Sequence, residues 1–561
     1  MSNAGVAGSR GPSSSAPAQS VPSPQGERAK TLVLALEGEP LDPFVGSMSG
    51  GAGTIAGNLK LAVHQSLANY DDRGGLHPML AESLPSRDDG SWVVRSDGTM
   101  TTTYRLRPGV TWHDGTPLTS ADFVFGWQVT KDPDVPMRNR NIARRITGID
   151  VPDDRTLVIE WDTTYPFANA LVDDQIGPMP RHLLEQQYTE NKEHFADLPY
   201  WTRQFVGVGP YRLQDWEAGS HLTLRAYDQF YAGRPKIDAL VFQFIPDPQT
   251  TVANLLAGSI DGAIPRALDF SDVSSVKSQW EQAGRKPLAI IQPTHWRVFE
   301  PQLRRQLANP PEILDVRVRR ALLSAIDRQA LVDTLLDGTL PVSDTFFFPE
   351  DAKWDWVKDV VVKYEFDLRK AVDSLSAVGW VRGPSGSIVD ASGKQVSIPV
   401  ETSAGAQSEQ ELSIIAANWR DLGFAVDQHV RTAAEARDNR LNSIFPGFSA
   451  SAGPLTFEHL STRLHSASCP GDANRWTGPN HGCYQNPEFD RLLDGLQSAI
   501  EPNDQRALYR SLVRIQTEDL PVFPLYFNPQ AMIFREGVVG IRGDTQPRTA
   551  MTWNAGEWDV R

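Results

Sequence analysis

The chain has 561 residues, 40% hydrophobic and 22% charged, with a net charge of -15. That length exceeds one ordinary core and predicts roughly two to four domains. The acidic balance argues against nucleic acid as the main partner, because phosphate neutralisation needs a basic surface, and no run approaches the ~20 apolar residues of a membrane span.

No apolar signal core follows Met1. Residues 2–26, "SNAGVAGSRGPSSSAPAQSVPSPQG", are nearly all Ser, Ala, Gly and Pro. Such a segment cannot bury enough surface to fold and reads as a flexible tether over 1–26. Two origins fit it. A lipoprotein signal has been removed, with Met1 standing where an acylated cysteine would be, or this is an ordinary disordered cytosolic tail.

A first strand is expected in "TLVLALEGEP" (31–40). The glycine-rich loop 41–57 comes next, and its "GAGTIA" formally matches G-x-G-x-x-A. The dinucleotide reading needs a strand running directly into the glycines, and a loop with Pro43 intervenes. Close backbone approach to a ligand suits these glycines better. Period-two alternation predicts strands over 92–106 and 154–161. Between them, "WHDGTPLTSADFVFGW" (112–127) is dense in polar groups but has turn composition. Gly115 allows a tight bend, Thr119 or Ser120 can cap a helix, and Asp122 favours its first turn. His113 and Asp114 are expected to hydrogen-bond within that turn.

Further on, 236–246 is a strand, and 250–263 is a helix ending at Gly258 with a short return to strand. One long helix is expected over 315–338, capped by Asp315 and stopped by Gly338, and another over 503–521. Interleaved strands and helices give an α/β or α+β class. No internal repeat is found. The fifteen tryptophans serve either as core or as walls for sugars and peptides.

Cys469 and Cys483 lie 14 positions apart in a Gly/Pro/Asn-rich stretch. A disulfide there would close a loop of about 15 residues and stabilise by ~3 kcal/mol. Free thiols remain an alternative, as does a metal site drawing on His459, His465 and His481. The spacings match no C-x-x-C or H-E-x-x-H pattern. No metal or cofactor is expected.

Eight segments occur together, in order: "LDP" (41–43), "LHPMLAESL" (76–84), "RLRPGVTWHDGTPLTSADFVFGW" (105–127), "GVGPYRL" (207–213), "NLLAGSIDGA" (254–263), "DVRVRRALLSAIDRQALV" (315–332), "YQNPEFDRLLD" (484–494) and "EDLPVFPLYF" (518–527). This set resembles the extracytoplasmic solute-binding proteins of bacterial peptide-type ABC importers, the oligopeptide- and dipeptide-binding proteins of family 5. The resemblance implies a two-lobed, periplasmic-binding-protein-like α/β fold of class II, cluster C, with an extra domain inserted in the first lobe. The implied boundaries are 27–72, 205–290 and 520–561 for the first-lobe core, 73–204 for the insert and 291–519 for the second lobe. It also implies capture of an oligopeptide in the interlobe cleft, delivery to separate permease and ATPase chains, a lipid-anchored extracytoplasmic location and a monomer without enzymatic activity. An oligosaccharide or other polar solute is the alternative ligand. A solute sensor or an extracytoplasmic hydrolase, using Asp114 with Asp122 or Glu458 with Asp472, is the alternative class.

Peptide-binding members anchor the peptide's amino group on an aspartate in the second lobe. The equivalent stretch here, "NSIFPGFSASAGPLTFEHL" (442–460), has none. Glu458 or another carboxylate replaces it, or the ligand has no free amino terminus. Phe448 stands where the family places an aromatic. In the loop 466–490, Trp476 could stack on the ligand, Arg475 could pair with a carboxylate, and Asn480 offers both donor and acceptor. From the first lobe, Gly51, Ala52 and Gly53 are expected to meet the ligand through backbone groups, and His295 and Trp296 are further cleft candidates. Asn486, Pro487 and Asp490 read as a helix start.

Overall fold

A computed structural model describes residues 29–40, 55–137, 140–172, 176–432, 434–455, 457–543 and 551–561. The tether, Gly51, Ala52 and Gly53 lie outside them, as does the side chain of Glu458.

The centre is a ten-stranded mixed sheet. Its strands in chain order are β1 (Thr31–Leu36), β2 (Tyr211–Glu217), β3 (His221–Ala226), β4 (Ala239–Phe244), β5 (Gly262–Ala263), β6 (Leu288–Pro301), β7 (Ser397–Ser403), β8 (Ala425–Arg431), β9 (Phe448–Pro454) and β10 (Phe523–Phe534). They lie side by side in the order β8-β7-β9-β6-β10-β5-β1-β4-β3-β2. β1 runs parallel to β4 and β5, and β7 runs parallel to β8 and β9, while the long β6 and β10 pair antiparallel at the centre.

The two central strands belong to two cores at once. In the first half, side chains alternate between the sheet's faces with the period of two that a strand imposes. Leu32, Leu34, Leu36, Met532 and Phe534 enter one cluster, and Ala35, Ala531 and Ile533 enter another on the opposite face. Farther along the same two strands, Trp296, Val298, Phe299, Phe523, Leu525 and Phe527 join a third cluster built with the helices between 316 and 519. Leu520, Val522 and Tyr526 pack in the same cluster. At the crossing Pro293 faces Pro529, and the register shifts between Pro293 and His295. Proline donates no ladder hydrogen bond, so pairing is weakest where the halves meet.

A separate four-stranded antiparallel sheet, with strands in the order 92–94, 100–105, 156–161 and 146–153, carries its own cluster around Tyr104, Trp112, Phe123 and Trp161. The single strand expected over 92–106 is a hairpin, turned at Gly98 in the left-handed region (φ 85°). The helix over 315–338 is two helices, Val316–Ser324 and Arg328–Leu336. Asp327 opens the second by accepting from Ala330 N at 2.9 Å, a capping role that competes with helix continuation.

In the 112–127 stretch, Asp122 accepts from Thr119 N at the start of helix Ser120–Lys131, and Asp114 accepts from Thr116 N within the turn. His113 departs from expectation. Its ring leaves the turn and bonds Gly207 N and Gly209 O, both at 3.1 Å. Gly207 and Gly209 have no room for a Cβ, which would lie 2.0 and 2.4 Å from Val63 backbone atoms.

Candidate functional site: two polar cavities at the lobe junction

The larger cavity, about 580 Å³, lies where the two halves meet. Its walls come from the first half (Glu37, Arg266, Asp269), the crossing strand (Asn528, Gln530) and the second half (Asp337, Gln407, Gln410). Arg266 and Glu37 pair at 2.9 and 3.0 Å on one wall. Ser274 reaches across to Asp337 at 3.1 Å, and Phe270 packs against a core of each half. His295, at the crossing, has its pKa lowered by burial and by the nearby guanidinium groups of Arg266 and Arg297.

The second cavity, about 260 Å³, is cut into the second half and lined by β6, β7, β8 and β9. Sheet register aligns Glu401, Ser449 and Glu300 across three adjacent strands. Each carboxylate has a guanidinium partner. Glu300 pairs with Arg463, which also donates to Ser451 Oγ at 2.6 Å. Glu401 accepts from Ser449 Oγ at 3.1 Å and lies 3.4 Å from Arg431. Burial opposes ionisation of Glu300, but Arg463 prevails and holds its carboxyl below the usual range. Burial pushes Glu401 up instead, and burial lowers His481 on the same wall.

The first turn of helix Ala406–Leu422 separates the cavities, with Ser408 lining one and Ala406, Gln407 and Gln410 the other. A hydrogen-bonded chain runs between them. Arg297 donates twice to Glu411, Tyr526 Oη donates to Glu411 at 2.6 Å, and Gln407 Nε2 donates to Tyr526 Oη and to Asn528 Oδ1.

Cys469 and Cys483 are joined by a disulfide with Cα atoms 4.8 Å apart. It clamps the loop that carries His481. Arg304, buried beside it, donates to three backbone carbonyls: Ser443 at 2.6 Å, His481 at 2.8 Å and Pro470 at 3.0 Å. Gly482 passes so close to Pro301 O that a Cβ would lie 2.6 Å from it.

Several expected ligand contacts lie elsewhere. Phe448 is fully buried, stacked on Phe299 at 5.3 Å and edge-on to Trp419 at 5.1 Å. Its neighbours Ser449 and Ser451 line the cavity; strand alternation sends the aromatic to the core and the serines to the site. Trp296 is likewise buried, against Phe346, while the adjacent Arg297 lines the cavity. Asn480 is buried, and its amide is engaged with His465 O, Tyr484 O and Tyr484 N. Arg475 is exposed. Trp476 is partly exposed, donates to Asp472 at 2.9 Å and lies under Arg440 at 5.6 Å. Neither lines a described cavity. Asp114 pairs with His182 at 2.7 Å, and Asp122 accepts from Thr119 N at the start of its helix. Sequence reasoning passed over Glu300 and Arg431 and weighed His481 only as a metal ligand; the three side chains become neighbours only through sheet order and loop clamping.

One sheet divided between two cores, joined through two strands, with polar cavities at and beside the junction, is the architecture of a two-lobed solute-binding protein. The family described as bacterial extracellular solute-binding proteins, family 5 (middle), matches residues 75–466, and the chain belongs to that family. The chain is 24% identical to oligopeptide-binding protein AppA of Bacillus subtilis (strain 168) over 490 residues, 86% of this chain and 83% of that one. The AppA structure in complex with a nonapeptide superposes with a TM-score of 0.65 at 20% identity, covering 95% of this chain and 99% of AppA. The ABC transporter substrate-binding protein CtaP of Listeria monocytogenes gives a TM-score of 0.75 at 18% identity, covering 95% and 99%. Among the described residues, no helix is long and apolar enough to cross a membrane.

Proposed function

We propose that this protein captures an oligopeptide between its lobes and presents it to an ABC permease for import. The observation that carries this reading is the polar cavity walled by both halves at a junction of weakened strand pairing. Such a junction permits hinge closure, and a ligand contacting both lobes stabilises the closed form that a permease recognises. The name of AppA, a relative over most of the chain, supports a peptide as the ligand. On this reading the protein acts by binding, without covalent chemistry, as a monomer tethered outside the cytoplasm through a lipidated N-terminus. The segment 73–204 is the inserted domain of the first lobe, and Arg475 and Trp476 sit at the cleft edge in the closed, ligand-bound form.

A thermal-shift screen against peptide and oligosaccharide libraries tests it. Micromolar peptide ligands should raise the melting point by mass action. Stabilisation by neutral oligosaccharides alone would overturn the peptide reading. That second reading draws on the serine- and threonine-rich wall of the smaller cavity (Thr402, Ser403, Ser408, Ser449, Ser451), which suits hydroxyl-rich solutes.

A further inference from the structure

Each arginine and glutamate on the wall of the smaller cavity has its own counter-ion. Arg297 is held by Glu411 through two hydrogen bonds, Glu300 pairs with Arg463, and Arg431 lies 3.4 Å from Glu401. Asn442 is engaged at both ends of its amide: Oδ1 accepts from Arg431 at 2.6 Å, and Nδ2 donates to Ala436 O at 2.9 Å. The groups left to a ligand carry no charge. Ser403 Oγ accepts from Arg431 at 3.2 Å and Ser408 Oγ accepts from Arg297 at 3.5 Å. Both serines are half-buried on the wall, and a hydroxyl that accepts keeps its own O–H to donate. His481 is half-buried on the same wall. Burial holds its ring neutral, and a neutral imidazole offers one donor and one acceptor nitrogen.

This balance discriminates between ligand groups. An ammonium or a carboxylate entering the cavity brings a charge for which no unmatched partner waits, or displaces an ion from an existing pair and strands its mate. Either way a charge is withdrawn from water without compensation, which is costly. An amide or hydroxyl exchanges hydrogen bonds with water for hydrogen bonds with the serine O–H groups and the imidazole, at little net cost. A primary amide matches this set well, since its carbonyl accepts from a hydroxyl and its NH₂ donates to the unprotonated ring nitrogen. At about 260 Å³ the cavity holds one side chain or one sugar ring rather than a whole oligopeptide.

We infer that the smaller cavity is a specificity subsite for one uncharged, hydrogen-bonding group of the ligand, read by Ser403, Ser408 and His481, and that it rejects groups of either charge. Under the proposed function, on which this rests, the group is a peptide side chain such as that of glutamine; a neutral sugar offers the same chemistry from another source. The test is titration calorimetry of the full chain with alanine pentapeptides carrying Gln, Glu or Lys at each position in turn, alongside neutral and uronic-acid oligosaccharides. At one position the Gln peptide should bind about tenfold or more tightly than both the Glu and the Lys peptides. The double variant Ser403→Ala/Ser408→Ala should bring Gln and Glu peptides to similar affinity at that position. A merely structural role for the serines would lower all affinities together and keep their ratio. The wild-type ligand series decides the matter even where that variant folds poorly. Glu or Lys accepted as well as Gln at every position overturns the inference and leaves the peptide reading intact. Preference for neutral over acidic oligosaccharides, with no peptide bound, supports the inference and removes the peptide reading. Binding of no neutral ligand overturns it.

Discussion

Arg297 and Glu411 are joined by two parallel hydrogen bonds, Nη2 to Oε1 at 2.7 Å and Nε to Oε2 at 2.9 Å. The Glu411 side chain has no exposed surface and that of Arg297 is 12% exposed. The pair fixes helix Ala406–Leu422 to β6 between the two cavities. Removing one partner strands the other as a buried charge, so Glu411→Ala should cost about 3–5 kcal/mol. Urea unfolding measures this. The double variant Arg297→Met/Glu411→Leu should recover most of the loss, since an apolar pair leaves no buried charge unmatched.

Loss of the Cys469–Cys483 bridge, by Cys469→Ser/Cys483→Ser, should lower stability by about 3 kcal/mol on the chain-entropy account. Amide exchange should accelerate over 466–485 and remain unchanged in the first-half strands β1 to β4. Uniform acceleration would mean that the bridge supports the whole fold rather than the loop.

Arg304→Met should act on the same loop from beneath. It leaves the carbonyls of Ser443, Pro470 and His481 without their shared donor, a cost of about 3 kcal/mol. His481 should then lose its fixed position on the cavity wall, so ligand affinity should fall along with the melting temperature.

His113 gives the fold a pH dependence with a definite sign. Burial lowers its pKa from 6.5 to about 4, and Nδ1 already accepts from Gly207 N, so the neutral ring is the one that fits. A group depressed in the folded state contributes stability that is full above the unfolded pKa of 6.5 and lost as pH falls toward 4. Between pH 7 and pH 5 this group alone should remove about 2 kcal/mol. His64, lowered to about 3, acts in the same direction. Urea unfolding of His113→Gln should show a shallower loss over that interval.

Trp476→Ala should leave stability within about 0.5 kcal/mol, as for a surface substitution, because the ring's contacts are Asp472 and Arg440 on the loop surface. If the loop closes on ligand as proposed, calorimetry should show weakened binding. Unchanged affinity would remove Trp476 from the site.

The sequence by itself determined the class of the fold and many of its local parts. Alternation marked β1 and β4, Asp315 and Asn486 marked helix starts, and Gly258 marked a helix end, because these signals depend on neighbours a few positions apart. Eight ordered segments pointed to the family. Only the tertiary structure decided which residues line the candidate cavities. Phe448 looked like a ligand platform, yet strand alternation turns it into the core and gives the wall to Ser449 and Ser451. Glu300, Glu401, Arg431 and His481 are separated by up to 181 positions, and each alone is an ordinary charged or polar residue. Strand order β8-β7-β9-β6 brings three of them together, and a disulfide with a buried arginine brings the fourth. Their pairing arises from sheet register and burial, which no local pattern encodes.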